Sequence, residues 1–308
     1  MKPSFALSAA LTLASMVATA HAAPLAYVAS DGNDRAGCTL VKPCRTFQAA
    51  HDAVDARGGI VALDTADYGP LSIGKSVSVV GNAGIVAGIT VLSGNGVTIA
   101  TAGVDVVLRN LHIAGAGGAR GVDMSAGRSL TLENCVIANL AGDGIRITAG
   151  EAASIVDTVT RGNGGHGAYL GSGHATVANS RFMANAGSGL YLEAAAALGV
   201  SASVADSVAS ENGGRGFSAR AATNRTRMSL VRATAYRNRG AGFANELVSN
   251  SPDARMSIAG SMSTHNGIGF FSTTTSLITN SLIYSPGNNV VMFNDVDVDG
   301  IVVAVPAF

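Results

Sequence analysis

The chain has 308 residues, a formal net charge of zero, 39 glycines, no tryptophan and 13% charged residues. Because basic and acidic residues are equal in number, no net field attracts nucleic acid or an anionic membrane, and neither is expected as a partner. Many glycines among small and branched apolar residues indicate short strands joined by tight turns.

The first residues have the pattern of a signal peptide. Lys2 precedes the apolar run FALSAALTLASMVATA, and Ala20-His21-Ala22 has the small-x-small form that signal peptidase cleaves. The run is shorter than the ~20 apolar residues that a membrane span needs, which disfavours the alternative of an uncleaved anchor helix. We predict a signal peptide over residues 1–22, no membrane insertion after its removal, and a periplasmic or secreted protein.

Residues 23–59 are predicted to form an N-terminal segment with a capping helix. Cys38 and Cys44 bracket the short loop CTLVKPC, and an oxidising compartment favours a disulfide between them over two free thiols. The stretch RTFQAAHDAVDARGG has helical apolar periodicity, with Thr46 as the expected N-cap. We expect one amphipathic helix that covers the first coil of the next segment, with His51 and Asp52 facing solvent.

Residues 60–308 contain a repeated phrase in which an Asn stands four residues ahead of a Gly that an apolar residue follows. Four copies read NGGHGAYL, NAGSGLYL, NGGRGFSA and NRGAGFAN, and weaker relatives lie on both sides. The aligned glycines recur every 22 to 27 residues, among runs with the period-2 alternation of strands. This predicts an all-β solenoid of about ten coils, each with three short strands that stack in parallel on the next coil at ~4.8 Å.

Alignment of the repeats assigns two columns to the structure of the solenoid. The residue after each aligned Gly is expected to point inward, so Phe217, Phe243 and Phe270 should stack in the core. The Asn of each repeat is expected in a turn, in left-handed geometry, with its amide bonded to the next coil. This column contains Asn163, Asn185, Asn212 and Asn238.

The N-terminal phrase YVASDGNDRAGCTLVKPCRTFQAAHDAVDARGGIVAL, the step ADYGPLSIGKSVSVVG and the Asn-to-Gly repeat resemble right-handed parallel β-helix proteins of the pectin-lyase-like superfamily. The resemblance covers residues 27 to about 293. It implies a right-handed parallel β-helix with an N-terminal capping helix. It does not choose an activity, because this fold includes lyases, hydrolases, epimerases, phage spikes and adhesins.

One outward column and the turn positions beside it form a polar surface, here called the strip. Tyrosines, arginines, carboxylates and an imidazole on stacked coils suit an acidic polysaccharide. In a lyase or epimerase, Arg146 would neutralise a uronate carboxylate, His166 or Tyr169 would be the base and Tyr191 the acid. Asp123, Asp143 and Arg215 would bind substrate. The strip comprises Arg120, Asp123, Asp143, Arg146, His166, Tyr169, Ser188, Tyr191, Arg215 and Ser218.

One further alternative to this interpretation remains open. The strip is also compatible with the solvated outer face of a non-catalytic envelope or adhesion module. Glu193, Arg220 and Glu246 in the neighbouring column are expected to form a cross-coil ladder of ion pairs.

A hydrolase is less favoured than a lyase or epimerase. The phrases AGDGIRI and GGHGAYLGSG resemble motifs of polygalacturonases, which need clustered aspartates for inverting hydrolysis. Here Arg120 and Gly142 stand where two of those aspartates belong. The sequence therefore predicts a protein that binds, and in one version modifies, an acidic polysaccharide.

We assign no metal ligands among the residues of the strip. The phrase NDVDVDG places Asp295, Asp297 and Asp299 at the spacing of an EF-hand loop, which makes Ca²⁺ the one cofactor to consider. Pro306 occupies the position of the bidentate Glu, and a terminal strand with an acidic outer face explains the pattern as well. We expect a monomer.

Overall fold

The computed structural model describes residues 23–194, 199–248, 253–273 and 281–306. These residues form three parallel sheets whose strands alternate along the chain, so that successive coils contribute successive strands to each sheet. The predicted all-β parallel solenoid is confirmed. The predicted signal peptide lies outside the described residues.

The strands of the three sheets follow one another in a fixed cycle. The first sheet comprises Ala23–Val28, Val54–Ala62, Val77–Gly81, Asp105–Arg109, Ser129–Glu133, Ala152–Val156, Gly173–Ala178, Val200–Ala205, Thr226–Val231, Ala254–Ala259, Ser281–Ser285 and Val302–Ala304. The second comprises Ala66–Asp67, Ala87–Val91, Leu111–Gly115, Val136–Ala138, Val159–Arg161, Arg181–Met183, Val208–Ser210, Thr234–Tyr236, Met262–Thr264 and Val290–Met292. The third comprises Leu71–Ile73, Asn95–Ala100, Arg120–Ala126, Ile145–Ile147, Ala168–Leu170, Leu190–Glu193, Phe217–Ala221, Ala241–Leu247, Ile268–Ser272 and Val296–Asp299.

Alternate residues of each strand point into the solenoid, where side chains from successive coils stack in register. In the first sheet, one such column is aliphatic and buried over eight successive coils. Burial of one face and exposure of the other fixes the register, since a shift by one residue would turn every side chain to the wrong face. This column consists of Val79, Leu108, Leu132, Ile155, Val177, Val204, Leu230 and Ile258.

The N-terminal helix spans Phe47–Ala53 and packs against the first strands of the first and third sheets. Thr46 is its N-cap, and the Thr46 side chain accepts a hydrogen bond from the amide of Ala49. The prediction that the helix extends to the glycine pair is wrong, because Val54 adopts an extended conformation and begins a strand. His51 is buried and its Nε2 accepts from the Gly74 amide at 3.2 Å, so it does not face solvent, whereas Asp52 does.

Cys38 and Cys44 are joined by a disulfide with their Cα atoms 4.6 Å apart, and both residues are buried. The backbone of Tyr27 lies between them, donating to the carbonyl of Cys38 and accepting from the amide of Cys44. The loop that the disulfide closes is therefore attached to the first strand of the first sheet.

The asparagine column forms a buried ladder of hydrogen bonds, as expected, but its backbone is not left-handed. In each coil the amide Nδ2 donates to Oδ1 of the Asn in the next coil, at 2.8–3.0 Å. The left-handed residue is the one before the Asn, namely Gly162, Ala184, Glu211 or Arg237. The turn needs its positive φ one residue earlier, which leaves the Asn side chain free to enter the core.

The aligned glycine of the repeat is required by close approach between coils. A Cβ on Gly167 would lie 2.5 Å from Thr160 Oγ1 and 2.6 Å from the carbonyl oxygen of Gly189 in the next coil. The residue after it points inward, as predicted. Phe217 and Phe243 stack with centroids 5.4 Å apart, whereas Phe243 and Phe270 meet edge to face at 5.5 Å.

Candidate functional site

The strip lies on the outer face of the third sheet. The strand register pairs Asp123 with Arg146, Arg146 with Tyr169, Tyr169 with Tyr191, and Tyr191 with Ser218. These five side chains therefore occupy one column on five successive coils, as the sequence predicted. The turn residues His166 and Asp143 precede the same strands and add their side chains to this column.

Three rings and a guanidinium form a continuous row in the middle of the strip. The rings of His166 and Tyr191 are stacked, with centroids 4.4 Å apart and planes inclined by 11°. Tyr169 stacks on Tyr191 at 5.8 Å, and the guanidinium carbon of Arg146 lies 4.3 Å from the centroid of Tyr169. The ring faces on neighbouring coils therefore cover one another.

Asp143 contacts two members of this row. Its Oδ2 pairs with Arg146 Nη1 at 3.0 Å, and its Oδ1 accepts the backbone amide of His166 at 2.7 Å. Asp143 is buried, and the carboxylate is thus fully engaged in placing its two neighbours. This geometry makes Asp143 an anchor of the strip more than a free ligand for substrate.

Glu193 belongs to the same cluster, although sequence reasoning placed it in a separate ladder. Its Oε2 accepts from the hydroxyl of Tyr191 and from Arg220 Nη1, the latter at 2.8 Å. Its backbone carbonyl accepts the hydroxyl of Tyr169 at 3.3 Å. The contact between Tyr191 and Glu193 could have been predicted from sequence, because the period-2 alternation puts both residues on one face of a strand.

The predicted ladder of ion pairs takes a different form in the structure. Glu193 does pair with Arg220, but Glu246 pairs with Arg215 of the strip, at 2.5 and 2.7 Å. Arg215 is thereby held by both of its terminal nitrogens. At the opposite end of the strip, Arg120 pairs with Asp123 at 3.6 Å. Each arginine of the strip therefore has a carboxylate partner within the protein.

Burial raises the pKa of the Tyr169 hydroxyl, and the nearby charge of Glu193 adds to the shift. Burial also raises the pKa of Tyr191, and its hydrogen bond to Glu193 raises it further. For Glu193 itself, burial raises the pKa, but the hydrogen bonds from Tyr191 and Arg220 outweigh burial and hold it below its ordinary value. At neutral pH the two tyrosines are therefore protonated hydrogen-bond donors and Glu193 is an ionised acceptor.

The imidazole of His166 is fixed in one tautomer. Its Nδ1 accepts the backbone amide of Ser188 at 3.0 Å, so the proton of the neutral ring resides on Nε2. Burial lowers the pKa of His166, with a smaller opposing contribution from the charge of Asp143. His166 at neutral pH is consequently a hydrogen-bond donor through Nε2, with no free lone pair for proton abstraction.

Ser218 is the last residue of the strip in this column, towards the C-terminal coils. It is fully buried, and its hydroxyl has no hydrogen-bond partner among the residues that the structure describes. The next residue in register, Ala244, is also buried and apolar. The polar surface of the strip thus ends at this coil.

Within the described ranges, no three His, Cys, Asp or Glu side chains are grouped as a metal site would require. Asp297 Oδ1 instead accepts from the amide and Nδ2 of Asn294, at 3.2 and 3.0 Å. Asp295, Asp297 and Asp299 are all exposed on the last coil. A Ca²⁺ site at these residues remains a prediction from sequence.

Concave surfaces occur away from the strip. One cavity of about 520 Å³ is bounded by residues 82–86, 110–112, 134 and 136, on the side of the second sheet. None of the helical structure in the described part of the chain is long and apolar enough to cross a membrane.

A coiled stack of three parallel sheets with a buried asparagine ladder defines a parallel β-helix protein. Residues 95–255, more than half of the chain, match the family described as right-handed β-helix region. The chain belongs to this family, and the predicted right-handed parallel β-helix of the pectin-lyase-like type is confirmed.

Solved structures that are similar to this chain include two polysaccharide lyases. Pectate lyase Pel9A gives a TM-score of 0.68 with 17% sequence identity, covering 85% of this chain and 74% of that one. A rhamnogalacturonan lyase gives a TM-score of 0.42 with 13% identity, covering 82% and 83%. No curated protein sequence matches the chain significantly. At these identities, the similarity to pectate lyase shows a shared fold and does not transfer its activity.

Proposed function

We propose that this protein binds an acidic polysaccharide along the strip and does not cleave it. The observation that carries the proposal is the row of Arg146, Tyr169, Tyr191 and His166, whose side chains are held by contacts with one another. A surface whose side chains are already ordered loses less conformational entropy when it binds.

The arginines retain donors for a polyanion although each is paired. Arg146 of the strip and Arg220 in the neighbouring column are each held through one nitrogen, and their side chains are 30% and 37% exposed. Their carboxylate partners, Asp143 and Glu193, lie deeper, at 10% and 24%. The outer edges of two guanidinium groups, three coils or roughly 14 Å apart along the axis, are therefore open to uronate carboxylates.

The rings supply the contacts for the sugar itself. Because Tyr169 and Tyr191 stack on each other, a sugar would meet their edges and not a free face. His166 Nε2 and the guanidinium edges then offer hydrogen-bond donors to sugar hydroxyls and carboxylates. Such a shallow row of donors favours an extended chain lying parallel to the solenoid axis.

Turnover is disfavoured because a general base is missing from the strip. The sequence-based roles need a free lone pair on His166 or an ionised Tyr169, and neither is available at neutral pH. The carboxylates of Asp143 and Glu193 are both occupied by arginine partners. The lyase or epimerase activity remains a prediction without support from this geometry.

Pectate lyase Pel9A, an enzyme named for its action on pectate, has the same fold. A shared fold makes a polysaccharide ligand plausible by analogy, but the ligand must be argued from the site. The chemistry of the strip supports the acidic class.

The proposal is tested with the chain lacking residues 1–22 and a panel of polygalacturonate, alginate and glycosaminoglycans. We expect binding to at least one member of the panel without appearance of unsaturated uronate. The Tyr169→Ala, Tyr191→Ala double variant should lose affinity by about tenfold or more, since central aromatic contacts dominate binding energy.

The matched control is Tyr27→Ala with Tyr284→Ala. Both residues are half-buried tyrosines on the outer face of the first sheet, and the control should bind like the parent. Equal loss in both double variants, or no binding to any member of the panel, contradicts the proposal. Unsaturated product would show that the strip is catalytic.

A further inference from the structure

The outer face of the second sheet and the turn after it carry arginines of a different kind from those of the strip. Arg161, Arg181, Arg237 and Arg239 are exposed, and none has an ion-pair partner within the described part of the chain. Since the whole chain has no net charge, four unpaired arginines on one face are a local concentration.

Strand register brings these arginines onto neighbouring coils. Arg161, Met183, Ser210 and Tyr236 form one outward column on four successive coils of the second sheet. Arg181 points outward two residues before Met183. The four arginines thus span a length of four coils.

The turn residues extend this surface. Arg237 follows Tyr236 and has positive φ, as do Glu211 one coil before it and His265 one coil after it. Arg239 lies two residues farther into the same turn. We call Arg161, Arg181, Arg237 and Arg239, together with Tyr236 and His265, the arginine face.

The surface beside Arg161 and Arg239 is concave. A cavity of about 340 Å³ is bounded by Asn139, Arg161, Gly162, Met183, Ala184, Ser210 and Glu211. A second, of about 510 Å³, continues along the turn from Gly162 and Ala184 past Glu211 to Arg239. The two cavities are bounded in common by Gly162, Ala184 and Glu211, and the small side chains of the first two let a ligand approach the backbone.

Few acidic groups oppose the arginines. Glu211 is the carboxylate on this stretch of the turn, and Asp295 lies two coils beyond Arg239 in the same turn column. Asp206 is already engaged by Arg232 through two hydrogen bonds of 2.6 Å. An anion arriving at this face therefore displaces water and not an internal carboxylate.

We propose that the arginine face is a second binding site, independent of the strip, for a densely anionic polysaccharide. Exposed guanidinium groups pair with sulfate or carboxylate oxygens through two parallel hydrogen bonds. The two cavities extend across successive coils, a shape that suits a linear polymer with repeated anionic groups.

A polysaccharide fits this face better than single-stranded nucleic acid does. Nucleic-acid strands bind on rings whose faces are open to stack with bases. Here the guanidinium carbon of Arg237 lies 5.1 Å from the centroid of Tyr236, and His265 meets that ring edge-on at 5.6 Å. The guanidinium groups remain available while the tyrosine face does not.

The test measures binding of the chain lacking residues 1–22 to heparin and to single-stranded DNA, at low and moderate salt. Arg237→Ala with Arg239→Ala should weaken heparin binding about tenfold or more, because it removes two guanidinium groups that form charge-assisted hydrogen bonds with the polymer. Affinity for heparin should fall with salt as ionic contacts are screened.

The matched control is Arg128→Ala with Arg232→Ala. It removes the same formal charge, but those arginines are paired with Asp105 and Asp206 and are not part of the arginine face. The control should bind heparin like the parent. Equal weakening by both arginine pairs, tighter binding of DNA than of heparin, or no heparin binding overturns the proposal.

Discussion

The imidazole of His166 lies flat against the ring of Tyr191, 4.4 Å away, while Nδ1 of the same imidazole accepts the amide of Ser188. The ring is therefore confined on one face and at one nitrogen. Protonation would place a charge in this half-buried position, with Arg146 nearby as an unfavourable neighbour. Stacking, tautomer and titration of His166 are consequently linked, and each can be measured.

The first prediction concerns the stability of the fold between about pH 7 and about pH 5. The pKa of His166 is lowered in the folded chain, mainly by burial, from an ordinary value of 6.5. Below that value the unfolded chain binds more protons than the folded one, so the free energy of unfolding should fall as the pH falls. Carboxylates with lowered pKa, such as Glu193, contribute only at lower pH, near their ordinary value of 4.5 and below.

Urea unfolding at both pH values checks this prediction. His166→Gln should reduce the loss of stability, whereas His265→Gln, which replaces an exposed imidazole, should leave it unchanged. An NMR titration of His166 that gives a pKa above 6.5 would contradict the burial argument.

A second prediction separates the hydroxyl of Tyr191 from its ring. Tyr191→Phe keeps the stack on His166 but removes the hydrogen bond to Glu193, and should lower the free energy of unfolding by about 1–2 kcal/mol. Tyr191→Ala also uncovers His166, so the cost should rise to about 3 kcal/mol. In this variant, the pKa of His166 should move up towards its ordinary value. If Tyr191 contributed only to stability, this pKa would not change. An unchanged pKa in Tyr191→Ala would show that the stack does not control the titration.

The columns of the solenoid could be predicted from sequence, because a fixed repeat and the alternation of strands determine which residues share a face. Thus Asp123, Arg146, Tyr169 and Tyr191 were predicted to align, and their strands are paired in that register. What the repeat does not encode is the choice of partner among long side chains. Glu246 reaches Arg215 and not Arg220, and Glu193 joins the tyrosines, because these choices depend on rotamers and distances between coils.

Backbone conformation within the turn was also beyond the sequence pattern. At Gly162 and the asparagine that follows it, either residue type could adopt the positive φ of the turn, so the sequence does not decide between them. The preceding residues Ala184 and Arg237 have positive φ although neither type favours it, since burial of the asparagine amide decides which residue bends.

The third prediction concerns the asparagine ladder. Asn212 donates through Nδ2 to Asn238 Oδ1 and to the carbonyl of Phe182, and its Oδ1 accepts from Asn185. Asn212→Ala leaves buried partners unsatisfied and should lower the free energy of unfolding by about 3 kcal/mol. Asn134→Ala replaces an exposed asparagine with positive φ and should cost only about 1 kcal/mol. Chemical denaturation of the two variants distinguishes them, and equal losses would mean that the ladder adds nothing beyond local turn geometry.

The fourth prediction concerns the disulfide between Cys38 and Cys44. Closing so short a loop restricts the unfolded chain, and its removal should lower the free energy of unfolding by about 2 kcal/mol. Thermal unfolding of Cys38→Ser with Cys44→Ser, compared with the parent before and after reduction, measures this. Reduction should destabilise the parent and leave the double variant unaffected. A parent that is insensitive to reduction would rule out a stabilising disulfide.

The fifth prediction concerns Cys135, the free cysteine in the described part of the chain. Burial raises the pKa of its thiol to about 11, so the folded protein should not react with a thiol reagent at neutral pH, and one thiol should become reactive on unfolding without reductant. Later coils place Thr158, Ser180 and Ser207 in the same column, where their hydroxyls accept backbone amides of the preceding coil.

Cys135→Ser should therefore be accommodated with a loss within about 1 kcal/mol, because its hydroxyl can replace the thiol in the hydrogen bond to the carbonyl of Leu108. Cys135→Val has a similar size but no donor or acceptor, and should be the less stable of the two by about 1 kcal/mol. Urea unfolding of both variants decides the order. If valine is the better substitute, the column is selected for packing alone and the hydroxyl contacts in the later coils contribute no net stability.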